Sequence, residues 1–152
     1  MIIRKIRKKD YGQVDRLLLQ LHDVDVKGRP ELFVEKDRFM PRDTFESLIS
    51  NEDICAILAE QRGEIVGCCF VSTLDRCGMV EMKTAYIDLL VVDEKHRRQG
   101  IGKALFRTVE KRAQRLGAKR IDLMVWSHNP IAIQAYESYG MVRQRSVYEK
   151  RL

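Results

Sequence analysis

With 152 residues, 45% of them apolar and 33% charged, the chain is long enough to bury about two-thirds of its unfolded surface without a disulfide or a structural metal. No run stays apolar for the roughly 18 residues of a membrane helix, and Met1-Ile2-Ile3-Arg4-Lys5 lacks a secretory signal's apolar stretch, so one soluble, cytoplasmic domain over residues 1–152 is expected. The net charge of +6 raises nucleic acid as a partner, while Cys55, Cys68, Cys69 and Cys77 form no Cys-x-x-Cys pair and have no nearby histidine to suggest a metal.

Ile2 to Arg7 alternates weakly and reads as a first strand. Asp10 with Gln13 three residues on resembles a capping box, and Val14, Leu17, Leu18 and Leu21 give a helix from about Tyr11 to His22 its apolar stripe. From Asp23 to Pro41 the pattern lapses, with Gly28, Pro30 and Pro41 as breakers, and a loop with a short helical turn is expected. A second helix starts at Asp43 or Thr44 and ends near Ser50. Ile54 to Glu60 and Glu64 to Thr73 read as strands joined by Gln61-Arg62-Gly63, with Cys55, Cys68 and Cys69 as small core residues. Asp75 to Gly78 reads as a turn that leaves Cys77 as a free thiol, and Val80 to Val92 as a long strand.

The helix from Gly100 to Leu116 stops at Gly117, a good residue to end on in the left-handed conformation. Arg120 to Trp126 is a further strand. Asn129-Pro130 opens a helix, with a capping side chain followed by proline at the first helical position, that ends at Gly140. Met141 to Lys150 reads as a last strand with Val142, Ser146 and Tyr148 on one side. The order β-α-α-β-β-β-α-β-α-β predicts an α/β fold: a central mixed sheet of about six to seven strands with about four helices on its two faces.

The chemistry centres on Asp93-Glu94-Lys95-His96-Arg97-Arg98-Gln99-Gly100-Ile101-Gly102-Lys103-Ala104, between an apolar strand and an amphipathic helix. There the first amides of the helix have no intrahelical partner, the helix dipole adds positive charge, and Gly100 and Gly102 let an anion approach the backbone. Arg97, Arg98 and Lys103 suit more than one phosphate. A Walker loop fails, because Arg97 and Ala104 stand where Gly and Ser or Thr are required; a dinucleotide fingerprint fails at Leu105.

Arg97-Arg98-Gln99-Gly100-Ile101-Gly102 resembles motif A of the GNAT superfamily of acyl-CoA-dependent N-acetyltransferases, Arg/Gln-x-x-Gly-x-Gly/Ala. Asn129-Pro130-Ile131-Ala132-Ile133-Gln134-Ala135-Tyr136-Glu137-Ser138-Tyr139-Gly140-Met141 is similar to the family's Asn-x-x-Ala-x-x-x-Tyr-x-x-x-Gly-Phe segment, departing from it at Met141. The resemblance implies a domain that takes acetyl-CoA as co-substrate, with its pyrophosphate on the main chain of Arg97, Arg98, Gln99, Gly100, Ile101, Gly102 and Lys103. Its pantetheine arm would lie along Leu90, Val91 and Val92, and Asn129 would contact the pantetheine or adenine end. Tyr136 matches the tyrosine near the coenzyme sulfur that assists the departing thiolate. Asp88 stands where related enzymes often carry a carboxylate, and is the candidate base for the amine; Met124 occupies the place of a glutamate that some relatives use. No cysteine is placed for an acyl-enzyme, so direct attack by the amine is expected. Tyr139 reads as packing, His96 and His128 as surface or capping residues, and no metal is expected.

The rival is a noncatalytic basic module that binds nucleic acid or another polyanion through Lys103, Arg107, Lys111 and Arg115, which recur every four residues on one helix face. The absence of interleaved aromatics disfavours it. By resemblance the acceptor side falls at about His22 to Ser50. There Asp23, Asp25, Glu31, Glu35 and Asp37 could attract a cationic amine, offset by Lys27, Arg29, Lys36 and Arg38. A small molecule or a protein N-terminus stays open as the acceptor; dimers are common in such folds, but nothing in the sequence fixes one.

Overall fold

The computed structural model describes residues 1–75 and 82–152. Five strands, β1 (Ile2–Lys5), β2 (Ile54–Gln61), β3 (Glu64–Asp75), β4 (Lys83–Val92) and β5 (Arg120–Leu123), form one sheet in sequential order. The first four are antiparallel to their neighbours, and β4 and β5 run parallel, as the helix between them requires. The helices are α1 (Tyr11–Gly28), α2 (Arg42–Ser50), α3 (Ile101–Arg115) and α4 (Pro130–Ser138).

Period-two alternation splits the sheet's side chains between two cores. Ala56, Leu58, Cys68 and Phe70 pack with Val14, Leu17 and Leu18 of α1 and Phe45 of α2. Ile57, Ala59, Cys69, Val71, Ala85 and Ile87 pack with Ile101, Leu105, Phe106, Val109 and Ala113 of α3. Cys68 and Cys69 are buried free thiols, pushed up in pKa by burial, Cys68 to about 12. Cys77, most of the expected turn and the expected strand start at Val80 lie outside the described residues.

Several elements differ from the sequence expectation. Helix α1 runs on to Gly28 because Asp23-Val24-Asp25-Val26-Lys27 contains no breaker; the Arg29 N–H still donates to the Asp25 carbonyl at 2.8 Å. The expected capping box does not form. Asp10 is buried and accepts a bidentate pair from Arg4 (2.7 and 2.9 Å) and the Arg7 N–H (2.8 Å), while Gln13 accepts the Ile65 N–H at 2.9 Å. Strand β5 stops at Leu123 rather than Trp126. The expected last strand over Met141 to Lys150 is not formed, since no described strand lies beside it to complete a ladder, and among the described residues the sheet has five strands rather than six to seven. No described helix is long and apolar enough to cross a membrane.

Candidate functional site

Two irregularities in β4 open a cleft. Between β3 and β4 the register moves from Val71 opposite Ile87 to Phe70 opposite Leu89, leaving Asp88 as an extra residue. This is a β-bulge, which bends the strand and re-aims its side chains. Ala85 and Ile87 face α3 before it; Leu90 and Val92 face α3 after it. The parallel ladder to β5 ends at the same place, with Ile87 opposite Leu123. From Asp88 to Val92 the outer edge of β4 therefore has no strand neighbour among the described residues.

Asp88 lies exposed at the head of this opening, where it accepts a hydrogen bond from Ser72 Oγ at 3.1 Å. Its carboxyl is nevertheless raised above the ordinary carboxylate range: the protein around it disfavours the charge, and the Ser72 hydrogen bonds lower it only in part. Exposure and the raised pKa describe different things here, an open line to solvent on one side and protein on the others.

At the far end of β4 the chain turns sharply into α3. Asp93 accepts from the Lys95 N–H (2.9 Å), bonds His96 Nδ1 (3.1 Å) and accepts from Gln20 Nε2 (3.0 Å). Burial raises the Asp93 carboxyl, but these donors outweigh it and bring the net pKa below the usual range. Gln20 also accepts the Glu94 N–H at 3.1 Å, so α1 braces the turn. Arg97 Nε donates to the Val92 carbonyl at 3.3 Å. Arg98 and Gly100 adopt left-handed φ of 64° and 79°, and left-handed Gly100 followed by helical Ile101 is the alternation that turns successive N–H groups into an anion-binding concavity. Arg98, Gln99, Gly100 and Lys103 are exposed.

Gly102 sits under a different constraint. A Cβ there would stand 2.9 Å from Tyr139 Oη and 3.5 Å from Val92 Cγ2. Tyr139 packs on Phe106, with ring centroids 5.0 Å apart, and meets Tyr136 edge-on at 6.3 Å. Tyr136 is partly buried. Burial, with Cys69 and Tyr139 nearby, raises its phenol, which stays protonated at neutral pH. Asn129 caps α4 by accepting the Ala132 N–H at 3.1 Å. Tyr139, beside Gly102 and in edge contact with Tyr136, brings α4 against the start of α3.

The expected acceptor side is partly occupied by its own contacts. His22 Nε2 lies 2.7 Å from the Val34 carbonyl; Phe33 meets Trp126 edge-on at 5.7 Å; Arg29 lies 5.4 Å over the same indole. Asp25 pairs with His128 at 3.3 Å, and Glu31 with Arg29 (2.6 Å) and Arg151 (2.7 Å), so two of the proposed attracting acids already have partners. Met124 is 73% exposed. Among the described residues no group of three or more His, Cys, Asp or Glu side chains could hold a metal. Lys103, Arg107, Lys111 and Arg115 are exposed on α3, opposite its buried stripe. Sequence reasoning missed Gln20, which stands one residue before Leu21 at the end of the α1 apolar stripe and carries no local signal of its role.

Residues 18–141 match the acetyltransferase (GNAT) family. Human N-acetyltransferase 8 is 33% identical over 98 residues, covering 64% of this chain and 43% of that protein; the chain thus matches less than half the length of this relative. The tetramutant of the BH1408 protein from Bacillus halodurans superposes with a TM-score of 0.96 at 29% identity over 100% of both chains. Aminoglycoside N-acetyltransferase AAC(6')-Iy, in its complex with CoA, shares the fold at a TM-score of 0.74 and 16% identity over 99% of each chain. With a family match over most of its length, on the strand, turn and helices described above, this chain belongs to the acetyltransferase (GNAT) family.

Proposed function

We propose that residues 1–152 act as one cytoplasmic N-acetyltransferase domain that moves the acetyl group of acetyl-CoA to a primary amine, by direct attack in a ternary complex. The observation that carries the reading is the coincidence of the Asp88 bulge, the unpaired outer edge of β4 and the left-handed Gly100 turn on one strand. Together they offer a main-chain edge for an extended amide-bearing arm and a positive, cation-flanked turn for its phosphates. The solved aminoglycoside enzyme of this fold is a CoA complex, which supports the same occupant here. The residues present fit the coenzyme: Arg97, Arg98, Gln99, Gly100, Ile101, Gly102 and Lys103 would hold the pyrophosphate, Leu90, Val91 and Val92 the pantetheine arm, and Asn129 its pantetheine or adenine end. Bound acetyl-CoA supplies an activated thioester carbonyl.

Acetylation requires a neutral amine, and an alkyl amine with pKa near 10 is mostly protonated at pH 7. Asp88 is the acceptor for that proton, directly or through one water, and its raised pKa makes it a better base than an ordinary Asp. Tyr136 faces the departing thiolate. A phenol held above its usual pKa gives up its proton reluctantly, so its contribution is a hydrogen bond to the developing charge rather than complete transfer.

Tyr136→Phe tests the assignment. Turnover with an amine found by screening, followed by release of the CoA thiol, is expected to fall by about 10²-fold while acetyl-CoA affinity changes less than about twofold. Unchanged turnover would remove Tyr136 from the reaction.

A further inference from the structure

The chain past β5 carries an aromatic surface that its neighbours hold in place. The ladder between β4 and β5 ends with Ile87 opposite Leu123, so beyond that pair the two chains part, one as Asp88 to Val92 and the other as Met124 to Trp126. Helix α1 reaches both sides of the gap. Its Gln20 bonds Asp93 just past β4 at 3.0 Å, and Asp25, about 7.5 Å further along the helix, bonds His128 at 3.3 Å. Trp126 therefore stands on the far side of the opening from the β4 edge.

Trp126 is 41% exposed, yet three neighbours fix its indole. The Arg29 guanidinium lies 5.4 Å over it, the His128 ring stacks on it at 5.7 Å and 23°, and Phe33 meets it edge-on at 5.7 Å. His128 in turn rests on Gly28, where a Cβ would run into the imidazole. Gly28 has no positive φ, so the close approach of that ring is what the missing side chain serves. An immobilised aromatic surface left open to solvent loses little further freedom when a ligand covers it, which suits it to recognition. Leu32 and Val34, on either side of Phe33, and Met124 add exposed apolar area in the same two segments.

Charge points the same way. Arg29 pairs with Glu31 at 2.6 Å and with Glu149 at 2.7 Å, and Arg151 pairs with Glu31 at 2.7 Å. A polycationic acceptor would have to take these carboxylates from arginines, whereas an uncharged apolar group covers the indole without breaking an ion pair. We infer that Trp126 determines acceptor specificity: the acceptor is an amine with an aromatic or bulky aliphatic group, which packs on Trp126 while the amine points to Asp88. This rests on the reading that the opening receives the amine.

Trp126 is the single tryptophan of the chain, so its emission reports this contact. The probes are 2-phenylethylamine, ethylamine and putrescine, each titrated in the presence of CoA for emission and assayed with acetyl-CoA for thiol release. 2-Phenylethylamine is expected to change the emission saturably, and its kcat/KM to exceed that of either other amine by at least about tenfold. Trp126→Ala should bring that ratio to within about threefold of unity with acetyl-CoA affinity within about twofold of wild type, and Trp126→Phe should restore most of the preference. Saturable binding of 2-phenylethylamine to a chain that acetylates none of the three would uphold the apolar site and overturn the reaction assigned to the opening. Equal kcat/KM for three acetylated amines would do the reverse. An emission unmoved by 2-phenylethylamine, or a preference that survives Trp126→Ala, also overturns the inference.

Discussion

Alanine at Gly100 should destabilise the chain and alanine at Gly102 should be tolerated, although the two glycines are separated by a single residue. At Gly100 nothing lies within 4 Å of a new Cβ, but φ is +79°. A side chain in that region costs about 1–2 kcal/mol. For a chain of this size each kcal/mol lowers Tm by about 2–4 °C, so Gly100→Ala is expected to melt roughly 2–8 °C lower. Gly102 sits in the first turn of α3 and has no positive φ. Alanine there gains roughly 0.5–1 kcal/mol of helix propensity, set against the displacement of Tyr139 Oη, the far end of a side chain, from 2.9 Å. Its Tm should stay within about 2–4 °C of wild type. The methyl group would point at Tyr139 Oη and Val92 Cγ2, and the family pattern admits Ala as well as Gly at this position, so acetyl-CoA affinity should stay within about twofold of wild type, roughly 0.4 kcal/mol. Differential scanning calorimetry and isothermal titration with acetyl-CoA measure both quantities on the same samples. If Gly102→Ala loses about tenfold or more in acetyl-CoA affinity, the tolerance of Ala at this position is refuted; if Gly100→Ala melts higher, the left-handed requirement is refuted.

Two further expectations concern the groups around the cleft. The Asp88 carboxyl must be ionised to accept a proton, so kcat/KM should fall as pH drops through its folded pKa, a limb displaced above the usual carboxylate value near 4. Asp88→Asn should lower kcat/KM on the order of 10²-fold at neutral pH and abolish that limb, and a limb that persists in the variant belongs to another group. Gln20→Leu deletes both bonds by which α1 braces the turn, at 3.0 and 3.1 Å, and is expected to raise KM for acetyl-CoA about tenfold with kcat little changed. A loss confined to kcat would show that Gln20 does not act through the turn.

The sequence was most legible where one local rule decides. Asn129-Pro130 marks the start of α4, and the structure has Asn129 capping it; the apolar spacing of Ile101, Leu105, Val109 and Ala113 marks the buried side of α3. Legibility failed where a tertiary partner decides. Asp10 and Gln13 have the spacing of a capping box, but Arg4 and Ile65, distant in sequence or on other elements, take their side chains. The segment Val142 to Lys150 has a strand's composition, yet a strand is defined by its neighbour, and none of the described strands reaches it. The bulge at Asp88 was written in the sequence only as a break in alternation, Ile87-Asp88-Leu89-Leu90, which becomes interpretable once the facing residues of β3 are known. Gln20 carried no local signal, because its role depends on where α1 crosses the turn after β4.

The central claim is that the turn at Gly100 and the open edge of β4 receive acetyl-CoA rather than the basic face of α3 receiving a polyanion. Thermal unfolding with acetyl-CoA, and separately with a short DNA duplex, at low and high salt distinguishes the two. Acetyl-CoA at a hundredfold excess over its dissociation constant should stabilise the chain by about 2.7 kcal/mol, a rise of several degrees that persists at high salt, while DNA produces none. A chain unmoved by acetyl-CoA but stabilised by DNA, with a shift that vanishes as salt is raised, would contradict the account and assign Lys103, Arg107, Lys111 and Arg115 the principal role.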